Sequence, residues 1–273
     1  MAKLLVTGAS GFLGRALVAA ASDDDVVTGL TSAVDVRDPD ALRAAFARAA
    51  PEVVVHTAYV QSGPTAHAVN ADGAGNVAAA ARAAGARLVH VSTDAIFAGD
   101  GDRPLREEEP ARPVTAYGAT KAAAEPLVMA AHPDALMVRT SLIVGGPDHA
   151  PSPHEERAVA AARGELDLAF FTDEIRSPIA VDDLARALLD LAATDARGAL
   201  HLGGPDAVSR LELARLVVVA AGLDPATLRG RPAPPDRPRF CPLDSSRALA
   251  LLRVAPPRGV RELYASARGH RTC

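Results

Sequence analysis

Tyr117-Gly-Ala-Thr-Lys121 sets a phenol and an ammonium four residues apart, a spacing that puts both on one face of a helix. A free tyrosine titrates at about 10, too high for efficient proton transfer at neutral pH. A cation a few ångströms away stabilises the phenolate and brings that value toward the working range. The chemistry open to such a pair is proton exchange with an oxygen. Tyr-x-x-x-Lys also arises by chance, as a half-buried Tyr beside a solvated Lys, so its surroundings decide. Ser92-Thr-Asp94 closes the apolar run Arg87-Leu-Val-His-Val-Ser92. Thr93 is therefore expected at a strand's carboxyl end, placed to hydrogen-bond a substrate oxygen; the plainer reading is a Ser/Thr turn.

A second group of residues points to a nucleotide. Thr7-Gly-Ala-Ser-Gly-Phe-Leu-Gly14 follows an apolar strand and opens an apolar helix. Glycines there allow a tight turn, let the backbone approach a pyrophosphate, and leave free N–H groups and a helix dipole that favour anions. Gly8, Ser10, Gly11, Phe12, Leu13 and Gly14 are the candidate cofactor contacts of this turn. The acid that grips an adenosine ribose in such folds ends the second strand, yet Leu30-Thr31-Ser32 carries no carboxylate there. Asp35 sits in Val34-Asp-Val-Arg-Asp38, past the next turn, and is read with Val36 as an adenine contact. With no carboxylate to repel a 2′-phosphate, NADP(H) is favoured over NAD(H). The nearby cations are Arg15 and Arg37.

These residues need elements to hold them. Val/Leu-rich runs at Lys3–Thr7, Val26–Leu30, Glu52–His56, Arg87–Ser92 and Leu136–Thr140 are candidate strands, alternating with helical patterns at Leu13–Ser22, Pro39–Ala49, Val69–Ala83 and Tyr117–Ala131. Strands apolar on both faces, alternating with helices, indicate an α/β fold with a doubly wound parallel Rossmann sheet. Right-handed crossovers then gather every strand's carboxyl end on one edge. Gly145-Gly-Pro-Asp-His-Ala-Pro-Ser-Pro153 breaks the pattern. Residues 1–145 are expected to form the dinucleotide-binding domain, with 179–195 returning to it as a helix over Ile179–Ala193. Residues 146–178 and 196–273 are expected to form a smaller substrate lobe.

Composition bounds the rest. The chain has 273 residues, 49% of them hydrophobic, so a sizeable core can be buried. A net charge of −4 with scattered arginines gives no nucleic-acid footprint. No apolar run approaches the roughly 20 residues needed to span a membrane, and no signal peptide is read at the start. The two cysteines, Cys241 and Cys273, form no disulfide framework or metal pair, and a reducing cytoplasm is expected. His149 and His154 lack partners at ligand spacing, so no metal is expected. His56 and His90 are taken as core positions, and Glu107-Glu-Glu109 as a solvated acidic turn.

Taken in order, the motifs resemble those of extended short-chain dehydrogenases/reductases and, more narrowly, the dTDP-4-dehydrorhamnose reductase (sugar-nucleotide-binding) family. The resemblance is carried by Val91-Ser-Thr-Asp-Ala-Ile-Phe-Ala-Gly99, Pro104-Leu-Arg-Glu-Glu-Glu-Pro110 and Tyr117-Gly-Ala-Thr-Lys121. It is supported by Pro51-Glu-Val-Val-Val-His-Thr-Ala-Tyr59, Arg139-Thr-Ser141 and Arg237-Pro-Arg-Phe-Cys-Pro-Leu-Asp-Ser-Ser246. It implies that Thr93, Tyr117 and Lys121 are catalytic. It also implies that Gly8, Gly11, Phe12, Leu13, Asp35, Val36, Ala58 and Tyr59 touch the cofactor, with Lys121 binding its ribose. The sequence departs from the family at Ala95, Leu142-Ile-Val144, His149–Glu156 and Asp173-Glu-Ile-Arg-Ser-Pro178, all where substrate is recognised.

The expected activity is NAD(P)H-dependent reduction of a ketone, most simply a 4-keto group of a nucleotide deoxysugar, with Tyr117 as proton donor. The alternatives are an NAD-dependent epimerase or dehydratase and a catalytically silent cofactor-binding subunit. Asp94, Arg176 and Arg239 are candidate substrate contacts. Arginines suit a diphosphate, although Arg176, Arg237 and Arg239 read equally well as solvated charges. Phe170, Phe171 and Phe240 are candidates to stack a base, but read first as core. The partner is a small molecule, and self-association into a homodimer stays open.

Overall fold

Alternate residues of the strands Lys3–Thr7, Val53–His56 and Arg87–Thr93, as they run through the centre of the fold, serve different cores, which is why these short runs are rich in Val and Leu. Leu4, Val6, Val55, Val89, Leu136 and Val138 join one cluster, while Leu5, Val54 and Leu88 join another. The computed structural model describes residues 3–22 and 25–266; Cys273 lies outside them. The central strands are β1 (Lys3–Thr7), β2 (Val26–Leu30), β3 (Val53–His56), β4 (Arg87–Thr93) and β5 (Leu136–Thr140). With a later strand, β10 (Gly198–Leu202), they form a parallel sheet whose order, from the far edge, is β10-β5-β4-β3-β1-β2.

Helices cover both faces. On one side lie α2 (Pro39–Ala49), α3 (Gly73–Ala83) and α4 (Ala116–Ala131), whose Leu42, Phe46, Val77 and Val128 are buried together. On the other lies α1 (Phe12–Ala20), whose Leu13 and Leu17 share a core with Leu184 and Leu188 of a later helix, α6 (Val181–Ala192). This is the expected doubly wound α/β sheet. The expected continuous helix Val69–Ala83 is instead a π-turn over Ala68–Asp72 followed by α3. The buried Asn70 amide lies in that turn and bonds the Val60 N–H and carbonyl and the Thr120 hydroxyl at 2.8, 2.8 and 2.9 Å.

After β5 the chain makes β6 (Ile143–Val144), α5 (Pro153–Ala162), β7 (Ala169–Phe171), β8 (Ile175–Arg176), β9 (Ile179–Ala180) and α6 (Val181–Ala192). The helix expected over Ile179–Ala193 thus begins two residues late, because Ile179 and Ala180 pair with Ile143 and Val144 as strand. Next comes β10 (Gly198–Leu202), in the stretch expected to belong wholly to the lobe. It pairs instead with β5, Gly198 opposite Leu136, and becomes the sixth sheet strand. The rest is β11 (Val208–Ser209), α7 (Arg210–Ala220), β12 (Arg229–Arg231), α8 (Ser246–Leu249) and α9 (Val260–Ser266). A separate core of Val144, Ala158, Val208, Leu213, Val217, Val260, Leu263 and Tyr264 holds α5, α7 and α9 together. Two-stranded ribbons, β8–β11 and β7–β12, lie outside the main sheet.

Candidate active site

The glycine turn is built to admit a ligand's phosphates. Gly8 has φ +70°, and a Cβ there would stand 2.8 Å from the Ala58 nitrogen. A Cβ on Gly14 would stand 2.1 Å from the Gly8 carbonyl, so only glycine lets α1 start this close to β1. The turn is tied to β2 by Ala9 N–H donating to Leu30 O at 3.1 Å. Gly11 caps α1 without a side-chain hydrogen bond, leaving the first N–H groups for an anion. Leu13 faces the core, so its backbone alone could serve a cofactor. These residues fit a dinucleotide.

Further round the edge, Asp35 is gripped by Arg37 at 2.5 to 3.0 Å and its carboxyl is held at about 2 by those bonds. Val36 is buried, and its carbonyl accepts from Asn76 at 3.2 Å. Arg37 is therefore committed, whereas Arg15, among the described residues, bonds only the Ser10 carbonyl, at 2.6 Å. Ala58 and Tyr59 leave β3 beside the turn.

Thr93, Tyr117 and Lys121 meet at the carboxyl end of β4. Thr115 caps α4, its hydroxyl accepting from the Gly118 N–H at 3.0 Å. Gly118 is the contact point: a Cβ on it would lie 2.1 Å from the Ala95 carbonyl. That close approach brings the Tyr117 phenol to the Thr93 turn, whose hydroxyl accepts from the Ala95 N–H at 3.1 Å. Tyr59, 53% exposed, lays its ring 5.8 Å from that of Tyr117. Burial, with Tyr59 and Asp94 nearby, pushes the Tyr117 phenol above its ordinary range, and the neighbouring Thr93 only partly opposes this.

Lys121 is 4% exposed and donates to the Val91 carbonyl at 2.8 Å, with His90 Nε2 at 3.4 Å. Burial pulls its ammonium down to about 8, against the favourable charge of Glu125. The expected lowering of Tyr117 by Lys121 is thus overridden here by desolvation of the phenol. Beneath Lys121 the buried rings of His90 and His56 lie 5.1 Å apart, and His56 Nδ1 pairs with the Thr7 hydroxyl at 2.6 Å. Burial and Lys121 hold His56 down to about 3 and His90 well below its ordinary range. They are core residues, as expected, but His56 Nε2 and His90 Nδ1 have no protein partner.

Of the expected substrate contacts, Asp94 and Arg176 come together and Arg239 does not join them. Asp94 is 3% exposed; Ser141 donates to one carboxylate oxygen at 2.6 Å and Arg176 pairs with the other at 2.9 Å. Arg176 is buried, not a solvated charge, and continues to Glu174 at 3.4 Å. Glu174 is fully buried and also accepts from Arg237 at 2.9 and 3.0 Å, with Arg210 at 3.9 Å. Arg239 pairs with Asp173 at 2.7 Å on the surface. Phe171 lies between Arg231 and Arg237, its centroid 5.2 and 5.6 Å from their guanidiniums.

Three buried groups escaped the sequence reading. Glu107, expected in a solvated turn, is buried and accepts from the His201 N–H at 3.1 Å; the run of three acids masked it. Glu125 and Arg139 form a buried ion pair, signalled only by Glu125 standing four residues beyond Lys121. Among the described residues no cluster could hold a metal ion, and no helix is long and apolar enough to cross a membrane.

Comparisons with known proteins identify the family. The family model described as RmlD substrate binding domain matches residues 2–266. A dTDP-4-dehydrorhamnose reductase of Mycolicibacterium smegmatis is 37% identical over 95% of this chain and 83% of its own. Among solved structures, a dTDP-4-dehydrorhamnose reductase from Bacillus anthracis str. Ames in complex with NADP superposes with TM-score 0.86 over 100% of both chains at 23% identity. The Bordetella bronchiseptica enzyme WbmH in complex with NAD+ gives 0.81 over 99% of this chain and 98% of its own, also at 23%. The chain belongs to the RmlD substrate binding domain family and is an NAD(P)-dependent oxidoreductase.

Proposed function

We propose that this protein uses NADPH to reduce the 4-keto group of a dTDP-linked deoxysugar. The observation that carries the reading is the Tyr117 phenol, beside Thr93 and one helical turn from Lys121, at the sheet edge that also bears the glycine turn. The names of the relatives support the substrate class. The glycine turn over Gly8–Gly14 would hold a nicotinamide dinucleotide, which when bound would supply the hydride for the ketone carbon. Tyr117 gives its proton to the oxygen that becomes the alcohol. A phenol is protonated at neutral pH, the form a reduction needs. The Thr93 hydroxyl donates to the same oxygen, and the Lys121 ammonium stabilises the tyrosinate left behind while holding the ribose. Asp94, saturated by Ser141 and Arg176, fixes the Thr93 turn. The same saturation leaves it poorly placed to act as the acid of a dehydratase.

NADP(H) is favoured because no carboxylate follows β2 and Arg15 is the uncommitted cation near the turn. The test is NADPH and NADH consumption with freshly generated dTDP-4-keto-6-deoxysugars. Tyr117→Phe should lower turnover by about 10²–10⁴-fold, the usual worth of a general acid, with cofactor binding retained. Consumption that survives intact in the variant removes Tyr117 as proton donor; none in the wild type removes the keto-sugar reading.

A further inference from the structure

Tyr117, Lys121 and Glu125 stand at i, i+4 and i+8 of α4, so one stripe of the helix faces β4. Immediately after Glu125, inside the same helix, comes Pro126. Proline has no N–H, so Ala122 loses the hydrogen bond that would tie the reactive half of α4 to the half beyond. Side chains carry that register instead. Glu125 accepts from the Ser92 hydroxyl at 2.7 Å and from Arg139 at 3.0 and 2.8 Å. Arg139 is itself fixed by the Glu107 carbonyl at 2.9 Å and lies 5.4 Å from the centre of the Phe97 ring. All of this is buried, the two charged side chains being 9% and 8% exposed.

We propose that Glu125 and Arg139 are positioning residues. They latch α4 to β4 and β5 at the break made by Pro126 and thereby set where Tyr117 and Lys121 sit against Thr93. The inference rests on the reductase reading for its kinetic readout, but not for its binding readout. Ser92 adjoins Thr93 on β4, so the strand that presents the hydroxyl also holds the latch. A slip of α4 by a fraction of an ångström would separate the phenol from the reacting oxygen, and misplacement of about 1 Å can cost about 10²-fold in rate.

The experiment compares Glu125→Gln, Pro126→Ala and the double variant, each assayed below its melting temperature. Glu125→Gln should lower kcat about 10–100-fold, with KM for the keto-sugar changed less than about threefold. Pro126→Ala alone should leave kcat unchanged. In the double variant the restored Ala122 bond should recover about tenfold or more of the loss. A Glu125→Gln enzyme within twofold of wild-type kcat, or a double variant no better than Glu125→Gln, overturns the proposal. Should Glu125→Gln fail to fold, Ser92→Ala removes one bond of the latch. It should cost several-fold in kcat, recovered by Pro126→Ala, and a silent Ser92→Ala overturns the proposal. If the wild type binds NADPH but reduces no keto-sugar, the function reading falls and the latch is read by NADPH fluorescence titration. Weakened affinity in Glu125→Gln restored by Pro126→Ala supports it, and equal affinities overturn it.

Discussion

Lys121 is held by opposing demands: the role proposed for it needs an ammonium, and its burial disfavours one. With a folded value of about 8 against an ordinary 10.5, the unfolded chain binds more protons than the folded one between those two pH values. Stability therefore rises with pH across that window, and the cost of burying the charge is fully present below about 8. Lys121→Met should accordingly lower kcat/KM by about 10² or more, without lowering the melting temperature at pH 7, since buried charges often exchange for apolar groups at no loss. For the wild-type free enzyme, kcat/KM should fall as pH rises through about 8, where the ammonium is lost. A profile flat to pH 9.5 would remove Lys121 from the mechanism. Arg15 is the residue-scale test of cofactor choice. Arg15→Ala should raise KM for NADPH about 10-fold while leaving that for NADH within twofold, the loss of one charge-assisted phosphate contact. Equal effects on both cofactors would place the 2′-phosphate elsewhere.

At the scale of elements, α4 works because it lies against the β4 exit with nothing between. Gly118→Ala would put a methyl 2.1 Å from the Ala95 carbonyl, forcing helix and strand apart. Overpacking of this kind costs about 1–3 kcal/mol, so the melting temperature should fall by several degrees. Moving Tyr117 away from Thr93 should lower kcat about 10²-fold, and a variant with wild-type kinetics would show that the close approach is dispensable. This glycine was legible in the sequence only as the second letter of a motif. The first five strands, by contrast, were legible almost to the residue, because a strand buried on both faces writes its whole length in Val and Leu. The α3 segment was misread as one helix because a π-turn adds a residue without disturbing the apolar pattern. Strand β10 was missed for another reason: Gly-Ala-Leu-His-Leu is apolar enough for a strand, but its partner β5 lies about sixty residues earlier. Periodicity reports a face to be buried, not what buries it. The buried Glu107 and Glu174 were missed likewise, since their countercharges arrive from distant segments.

For the whole molecule, the question is what joins the sheet edge to the elements beyond β5. Glu174 stands at the centre, fully buried, with Arg176 leading back to Asp94 and the Thr93 turn, Arg237 reaching in from the loop before Phe240, and Arg210 from α7. Three guanidiniums share two carboxylates, and burial pulls Arg210 down to about 10 as Arg176 and Arg237 add to the strain. Removing the central charge leaves those cations without their shared counterion. Breaking a buried pair in this way costs about 3–5 kcal/mol. In a chain of this size that is about 5–15 °C in melting temperature. Glu174→Gln should show that drop at both low and high salt, because screening barely reaches a buried cluster. Asp40→Asn, which removes an exposed pair with Arg43, should move the midpoint by less than about 1 °C. Turnover should fall with Glu174→Gln even at temperatures where it is folded, because Arg176, released from Glu174, no longer holds Asp94 beside Thr93. Unaltered stability would mean that the cluster reorganises around another anion; lowered stability with full turnover would mean that the lobe is fastened there but the reacting edge is positioned from the sheet alone.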